Sequence, residues 1–304
     1  MRKLLIYTGW LCAFSTALAQ SDCGETGNCF ETAARDTCFY KEHMYQWTTD
    51  TTDTFIRQGY VVKYNFEYKI PTWAAYHLKE DYLRTPKRKG KYSSFKRDPD
   101  VNDGVVTSNY TGSGYSRGHM VPFFASGGDR DGDGELSDYF DDLKDPEDDL
   151  TVFQVNYMSN ITPQDQDALN GSGGPWYSLE TMIRTKLIPD LKELHLVVGS
   201  VVSDTCNLNK LVNSKGETDI VIPDKFYQVI IYHDKIAKEY RTLALLFPHV
   251  REKSKLPYKN LIDYVVTVDA LEAEVGLDFF NGLPDAVEDA VEKSDNLAFW
   301  KKWF

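Results

Sequence analysis

Tyr115-Ser116-Arg117-Gly118-His119-Met120 decides the reading of this chain, together with Ser159-Asn160-Ile161-Thr162-Pro163-Gln164, Leu169-Asn170 and Trp176-Tyr177-Ser178-Leu179-Glu180 further on. In that order they supply a histidine, an arginine, two asparagines and a glutamate, a set suited to hydrolysis of a phosphodiester with one metal ion. Such a reaction needs a base poised near neutral pH, and imidazole is the side chain whose unperturbed pKa lies there, so His119 is the candidate base. The charge that develops on phosphate and leaving oxygen calls for a hard cation such as Mg²⁺, which keeps most of its waters. Asn170 is the candidate ligand; a neutral amide oxygen anchors the ion without cancelling its charge. Leu179, Met182, Ile183 and Leu187 recur at helical spacing, so a helix from residue 175 places Glu180 on its second turn, where it can accept hydrogen bonds from water on the metal. Arg117 offers a planar fork to phosphate oxygens.

These motifs resemble those of the DNA/RNA non-specific endonucleases of the ββα-metal class, which include secreted bacterial nucleases and mitochondrial endonuclease G. The similarity extends to Trp73-Ala74-Ala75-Tyr76-His77-Leu78, Phe95-Lys96-Arg97-Asp98-Pro99 and Asn109-Tyr110-Thr111-Gly112-Ser113-Gly114-Tyr115 upstream, and to Val197-Val198-Gly199, Phe226-Tyr227-Gln228-Val229 and Gly276-Leu277-Asp278-Phe279-Phe280 downstream, about residues 60–285 in all. The resemblance implies His119 as general base, Asn170 as metal ligand (Mg²⁺, with Mn²⁺ as an alternative), Glu180 as partner of metal-bound water, and Arg117 as the motif arginine. Asn160 is counted with the catalytic set as the asparagine that shapes the site beside the histidine. It also implies DNA and RNA as substrates, 5′-phosphate products, and admits a homodimer. Two departures stand out. Ser116 replaces the aspartate that usually opens the motif, and a second arginine expected just before Phe95 is replaced by Ser93 or Ser94, leaving Arg88, Lys91 and Arg97 as substitutes from the same loop.

Residues 1–19 read as a cleavable signal peptide, with Arg2 and Lys3, an apolar stretch, and Ala17-Leu18-Ala19 as the cleavage site, so a secreted, extracellular product with no membrane partner is expected. Cys12 leaves with it. Cys23, Cys29, Cys38 and Cys206 remain, an even number for an oxidising compartment. Two disulfides are expected, one local to the N-terminal arm and one tying the arm to Cys206, although three connectivities are open. Zinc is disfavoured, because the spacings are unlike those of zinc ligands.

A formal charge of −12 opposes static binding of nucleic acid, which draws most of its affinity from phosphate neutralisation. Arg84, Lys87, Arg88, Lys89 and Lys91 nevertheless form a basic strip beside the site, while acidic residues concentrate at 129–149 and 272–295. The interval from His119 to Asn160 is 41 positions, lengthened by an insert at 127–150. Within it Asp129, Asp131, Asp133, Glu135 and Ser137, with Gly134, match the opening of a calcium loop, but Phe140 stands where the closing glutamate belongs. Ca²⁺ there would brace the insert; a hydrated loop is the competing reading.

Alternating apolar residues predict strands at 60–66, 73–78, 151–158, 194–202, 226–233 and 240–247, and helical spacing predicts helices at 174–192, 257–263 and 269–275. Their irregular interleaving gives an α+β class with a central antiparallel sheet flanked by helices, the ββα-metal nuclease fold by resemblance. The parts are expected as an arm at 20–55, a nuclease domain at 56–285 with the insert, and a peripheral tail at 286–304. His77 reads as a strand residue. No Gly-x-Ser-x-Gly or phosphate-loop motif is present. Two other classes remain: a catalytically silent nucleic-acid binder, prompted by Ser116 and the displaced arginine, and an extracellular calcium-binding protein built on the insert.

Overall fold

The computed structural model describes residue 29 and residues 34–102, 104–134 and 146–304. Helix α1 (Arg35–His43) leads to strands β1 (Thr54–Ile56), β2 (Val61–Asn65) and β3 (Ile70–Lys79). Strand β4 (Ser116–His119) and helix α2 (Pro146–Gln154) precede β5 (Ile161–Gln164), helices α3 (Pro175–Met182) and α4 (Ile188–Leu191), and strand β6 (Glu193–Val201). A hairpin of β7 (Lys210–Asn213) and β8 (Gly216–Val221) is followed by β9 (Lys225–Asp234), β10 (Glu239–Pro248) and β11 (Val265–Val266). Helices α5 (Val268–Val275), α6 (Asp285–Glu292) and α7 (Leu297–Trp300) complete the described elements.

Seven strands form one antiparallel sheet in the order β1-β2-β3-β6-β9-β10-β11. Its central strands are apolar at nearly every position because both faces are covered, and the two-residue period deals their side chains to two cores. Ala74, Tyr76, Leu196, Val198, Ile230 and Leu245 pack with Trp176, Leu179, Ile183, Met120 and Val121 on the face that carries the motif residues. Trp73, Ala75, Val197, Val229, Ile231 and Ala244 pack with Trp47, Leu271, Phe279 and Val291 on the other. A continuous helical segment covers the first face, since a π-helical turn, Ile183–Leu187, joins α3 to α4. The helix expected at 174–192 is therefore present, as is the central antiparallel sheet.

Several expectations need correction. Residues 151–158 are not a strand: α2 runs to Gln154 and a turn follows. Thr151, Val152 and Val155 are β-branched, but they are buried at helical spacing, and tertiary packing overrides the propensity. The helix expected at 257–263 reduces to a short 3₁₀ turn, Leu261–Tyr264. Cutting the chain at 55/56 and 285/286 does not separate packing units. Trp47 of the arm is buried in the second core, and β1 pairs with β2. The tail is not peripheral: Trp300 and Trp303 sit in the first core, with Trp300 Nε1 donating to Thr242 O at 2.6 Å and Trp303 Nε1 to Asp190 Oδ2 at 2.7 Å. Cys29 and Cys38 form the local disulfide. Cys206 is exposed and unbridged among the described residues; Cys23 and the leader at 1–19 lie outside them. Among those residues no helix is long and apolar enough to cross a membrane.

Candidate active site

Strands β4 and β5 form a separate two-stranded plate in which Ser116 faces Gln164, Arg117 faces Pro163, Gly118 faces Thr162 and His119 faces Ile161. With α3 they make a β-β-α unit laid on the sheet. Asn160, just before β5, is wholly buried, and its amide is spent on backbone: Oδ1 accepts from Val121 N at 2.9 Å, and Nδ2 donates to Val121 O at 2.9 Å and Val155 O at 2.8 Å. Both amide hydrogens are thus spent on backbone, and the side chain ties the segment after β4 to the turn after α2.

His119 is half-buried and its Nε2 lies 3.2 Å from Asn156 Oδ1. Asn156 donates both Nδ2 hydrogens to carbonyls, Tyr92 O at 3.2 Å and Val152 O at 3.1 Å, so its oxygen faces the ring. An acceptor there makes Nε2 the protonated nitrogen and leaves the lone pair on Nδ1, a tautomer assigned from the network. The imidazole is pushed down to about 3, first by burial and then by the Arg88 charge, with the Asn156 hydrogen bond opposing and Arg117 adding to the depression. The depression keeps the ring neutral, with a lone pair to accept a proton, and makes it a weaker base than free imidazole.

Phe95 organises the cations. Arg117 lies over its ring at 4.6 Å and Arg88 at 5.1 Å, while the His119 ring is 5.3 Å away. Arg88 also reaches Asn156 Oδ1 at 3.5 Å. Of the substitutes for the displaced arginine, Arg88 is thus brought to the histidine, whereas Arg97 turns to Asn102 on the surface at 2.8 Å; the Lys91 side chain lies outside the described residues. Two guanidinium groups flanking one ring leave an obvious place for an anion. Ser116 donates to Gln164 O at 2.8 Å and so serves the plate.

Asn170 is held from the same plate. Its Nδ2 donates to Gln164 Oε1 at 2.5 Å, which turns Oδ1 away as the atom free to meet a cation. Gln164 crosses directly over Gly118, where an added Cβ would come within 2.1 Å of its side chain. The glycine of the motif is therefore there for space, and it couples the histidine strand to the asparagine. Asn170 ends a π-helical turn, Gln166–Asn170, with Asn170 N on Asp165 O at 3.0 Å. Asp165 caps that turn, and its own N–H is held by His249 Nε2 at 2.9 Å. Glu180 is on the second turn of α3, anchored by Trp176 Nε1 at 2.9 Å. Burial raises its carboxyl to about 8, against the pull of Trp176 and Arg184. An amide oxygen, with a carboxyl to order water on the ion, is the kind of oxygen environment a hard divalent ion suits.

In the insert, carboxylate oxygens of Asp129, Asp131 and Asp133 lie within 4.8 Å of one another, and Asp129 accepts from Gly132 N at 2.6 Å and Gly134 N at 2.9 Å. Glu135 and Ser137 lie outside the described residues. Motif reading passes over Asn156, Gln164 and His249. Only Gln164, which falls inside the Ser-Asn-Ile-Thr-Pro-Gln block, carried a signal.

The chain belongs to the DNA/RNA non-specific endonuclease family, whose model matches residues 41–286. It is similar to the nuclease of Serratia marcescens, 29% identical over 253 residues that cover 80% of this chain and 81% of that one. Nuclease C1 of Cunninghamella echinulata var. echinulata is 27% identical over 237 residues, 76% of this chain and 84% of that protein. The mitochondrial nuclease EXOG of Danio rerio is 27% identical over 233 residues, 74% of this chain and 60% of that protein. In structure the chain resembles endonuclease EndoG as solved in its complex with EndoGI, with a TM-score of 0.61 at 17% identity, covering 81% of this chain and 93% of that one. The fold is that of the ββα-metal nucleases, and the protein is a nuclease, a phosphodiester hydrolase that acts on nucleic acid and uses a divalent metal ion.

Proposed function

We propose that this protein is a secreted, sugar-non-specific endonuclease that hydrolyses DNA and RNA by a one-metal mechanism and leaves 5′-phosphate ends. The observation that carries the reading is the Asn156–His119 contact at 3.2 Å beside two arginines on Phe95. Nδ1 of His119 takes a proton from water as that water attacks phosphorus in line, and Asn156 keeps the ring in the orientation that aims the lone pair. Arg117 and Arg88 hold the non-bridging oxygens and offset the charge they gain. Mg²⁺, with Mn²⁺ as a substitute, would be held by Asn170 Oδ1 and by water that Glu180 orders, and would supply Lewis-acid stabilisation of the leaving 3′ oxygen. Gln164 keeps the Asn170 amide, and Trp176 the Glu180 carboxyl, from turning away. Because water and not a 2′-hydroxyl is the nucleophile, DNA and RNA both qualify.

Secretion is supported by the leader pattern at 1–19, while the mitochondrial relatives set the competing destination. Calcium at Asp129, Asp131 and Asp133 forms an accessory part of the proposal, a brace for the insert separate from the reaction. The test is cleavage of supercoiled plasmid and single-stranded RNA by protein recovered from the medium with its N-terminus at Gln20. Cleavage should need Mg²⁺, stop with EDTA, and yield ends that DNA ligase rejoins without prior phosphorylation. His119→Ala should lower kcat by about 10²–10⁴-fold with the melting temperature preserved. Wild-type turnover in that variant would sink the assignment.

A further inference from the structure

Helices α5 and α6 meet on the sheet face opposite the one that carries Met120 and Val121, and there they gather five carboxyl groups. Asp269 and Glu272 come from α5, Asp278 from the connecting loop, Glu288 and Glu292 from α6. One oxygen each of Asp269, Glu272 and Glu292 lie within 4.8 Å of one another, and so do one each of Asp278, Glu288 and Glu292. Glu292 belongs to both groups. It is only 6% exposed, and its Oε1 has no hydrogen-bond partner.

An ionised carboxylate taken out of water without a donor is costly, and four neighbouring carboxyls add repulsion. Position makes it worse. Glu292 is the last residue of α6, the end where unpaired carbonyls disfavour an anion and favour a cation. Lys293 pairs with Asp289 at 2.8 Å and Lys225 with Glu274 at 2.5 Å; the Lys293 charge lies near Asp269 and Glu292, but among the described residues no cation forms an ion pair with Glu292. Glu272 is partly fixed in advance, since its Oε1 accepts from Phe279 N at 2.6 Å.

Calcium takes six to eight oxygens at about 2.3–2.6 Å, so oxygens that share one ion lie within about 5 Å of each other, as both groups here do. A purely carboxylate cluster, with no thiol or imidazole, selects a hard ion over the transition metals. We propose that Asp269, Glu272, Asp278, Glu288 and Glu292 form a calcium site that ties α5 to α6, with Glu292 as its central ligand. Glu288 and Glu292 lie beyond the 41–286 match, so the site is an addition to the shared nuclease domain. It would fasten the segment that leads to Trp300 and Trp303 on the far side of the sheet.

The test is thermal unfolding and calorimetric titration of the full chain with calcium chloride in excess of its dissociation constant. Wild type should gain roughly 5–10 °C and bind one more calcium than Glu292→Gln. Asn170→Ala and Asp131→Asn, which remove the proposed catalytic ligand and a ligand of the insert, should keep most of the gain. Glu292→Gln and Glu288→Gln should lose more than half of it while melting, without calcium, no lower than wild type and cleaving plasmid at the wild-type rate. No gain in wild type, a gain in Glu292→Gln above half the wild-type value, or a gain lost only in Asn170→Ala or Asp131→Asn would overturn the site.

Discussion

The two-stranded plate that carries His119 and the seven-stranded sheet behind it are held by different means. Strands β4 and β5 have four residues each, and single polar side chains fix them: Asn160 by three bonds to backbone, Gln164 through its passage over Gly118, Asn156 beneath the imidazole. Central strands β3, β6, β9 and β10 have nine or ten residues and bury apolar side chains on both faces. Loss of one apolar contact in the large sheet is shared among many. A lost polar pin in the plate has no substitute, so damage there should appear in the reaction before it appears in stability.

The largest effect tests the scaffold half. Trp300→Ala should cost about 3–5 kcal/mol of unfolding free energy, seen in urea melts, because a wholly buried indole leaves a cavity and the Thr242 carbonyl unpaired. Turnover per folded molecule should not change. Next comes the plate: Asn156→Ala should lower kcat by about 10–100-fold, the usual cost of losing a group that orients a catalytic side chain. Should Trp300→Ala slow turnover as much as Asn156→Ala, the division of labour fails.

The smallest effect is a pH dependence in the scaffold. His43 is buried, donates Nε2–H to Gln58 O at 2.9 Å, and accepts from His77 N at 3.2 Å. Burial pushes its imidazole down to about 4, while Glu42 pulls the other way. Its folded pKa lies below the unfolded value of about 6.5, so the unfolded chain binds the extra proton. Stability from this group is complete above 6.5 and is lost as pH falls toward 4. Between pH 7.5 and 6 the loss should be about 1 kcal/mol. Glu180, raised to about 8, has the opposite sign and favours the folded state less as pH rises from its unfolded value. Subtracting the profile of His43→Gln from that of wild type isolates the histidine; identical profiles would remove it as a source.

The same contrast explains what could be read in advance. Long strands such as 226–233 and the helix from 175 announce themselves through apolar period, and the residues that do chemistry announce themselves through composition and order. Asn156 is silent because its importance is a matter of where its amide points. The 151–158 segment misleads because Thr and Val favour strands until burial at helical spacing decides otherwise. Arg88 stands seven positions before Phe95, too far for a motif to tie it to the ring it packs on. Trp300 and Trp303 read as a loose end because sequence separation hides their partners, Thr242 and Asp190.

Those two tryptophans bear on how the protein is made. A ribosome releases residues 116–180 well before residue 300, so the histidine strand, the asparagine and the glutamate all emerge while the core that steadies them still lacks two of its largest rings. The last strand of the sheet ends at Val266, so these rings join a sheet whose strands have all been made, and the first core is complete only once synthesis has passed Trp303.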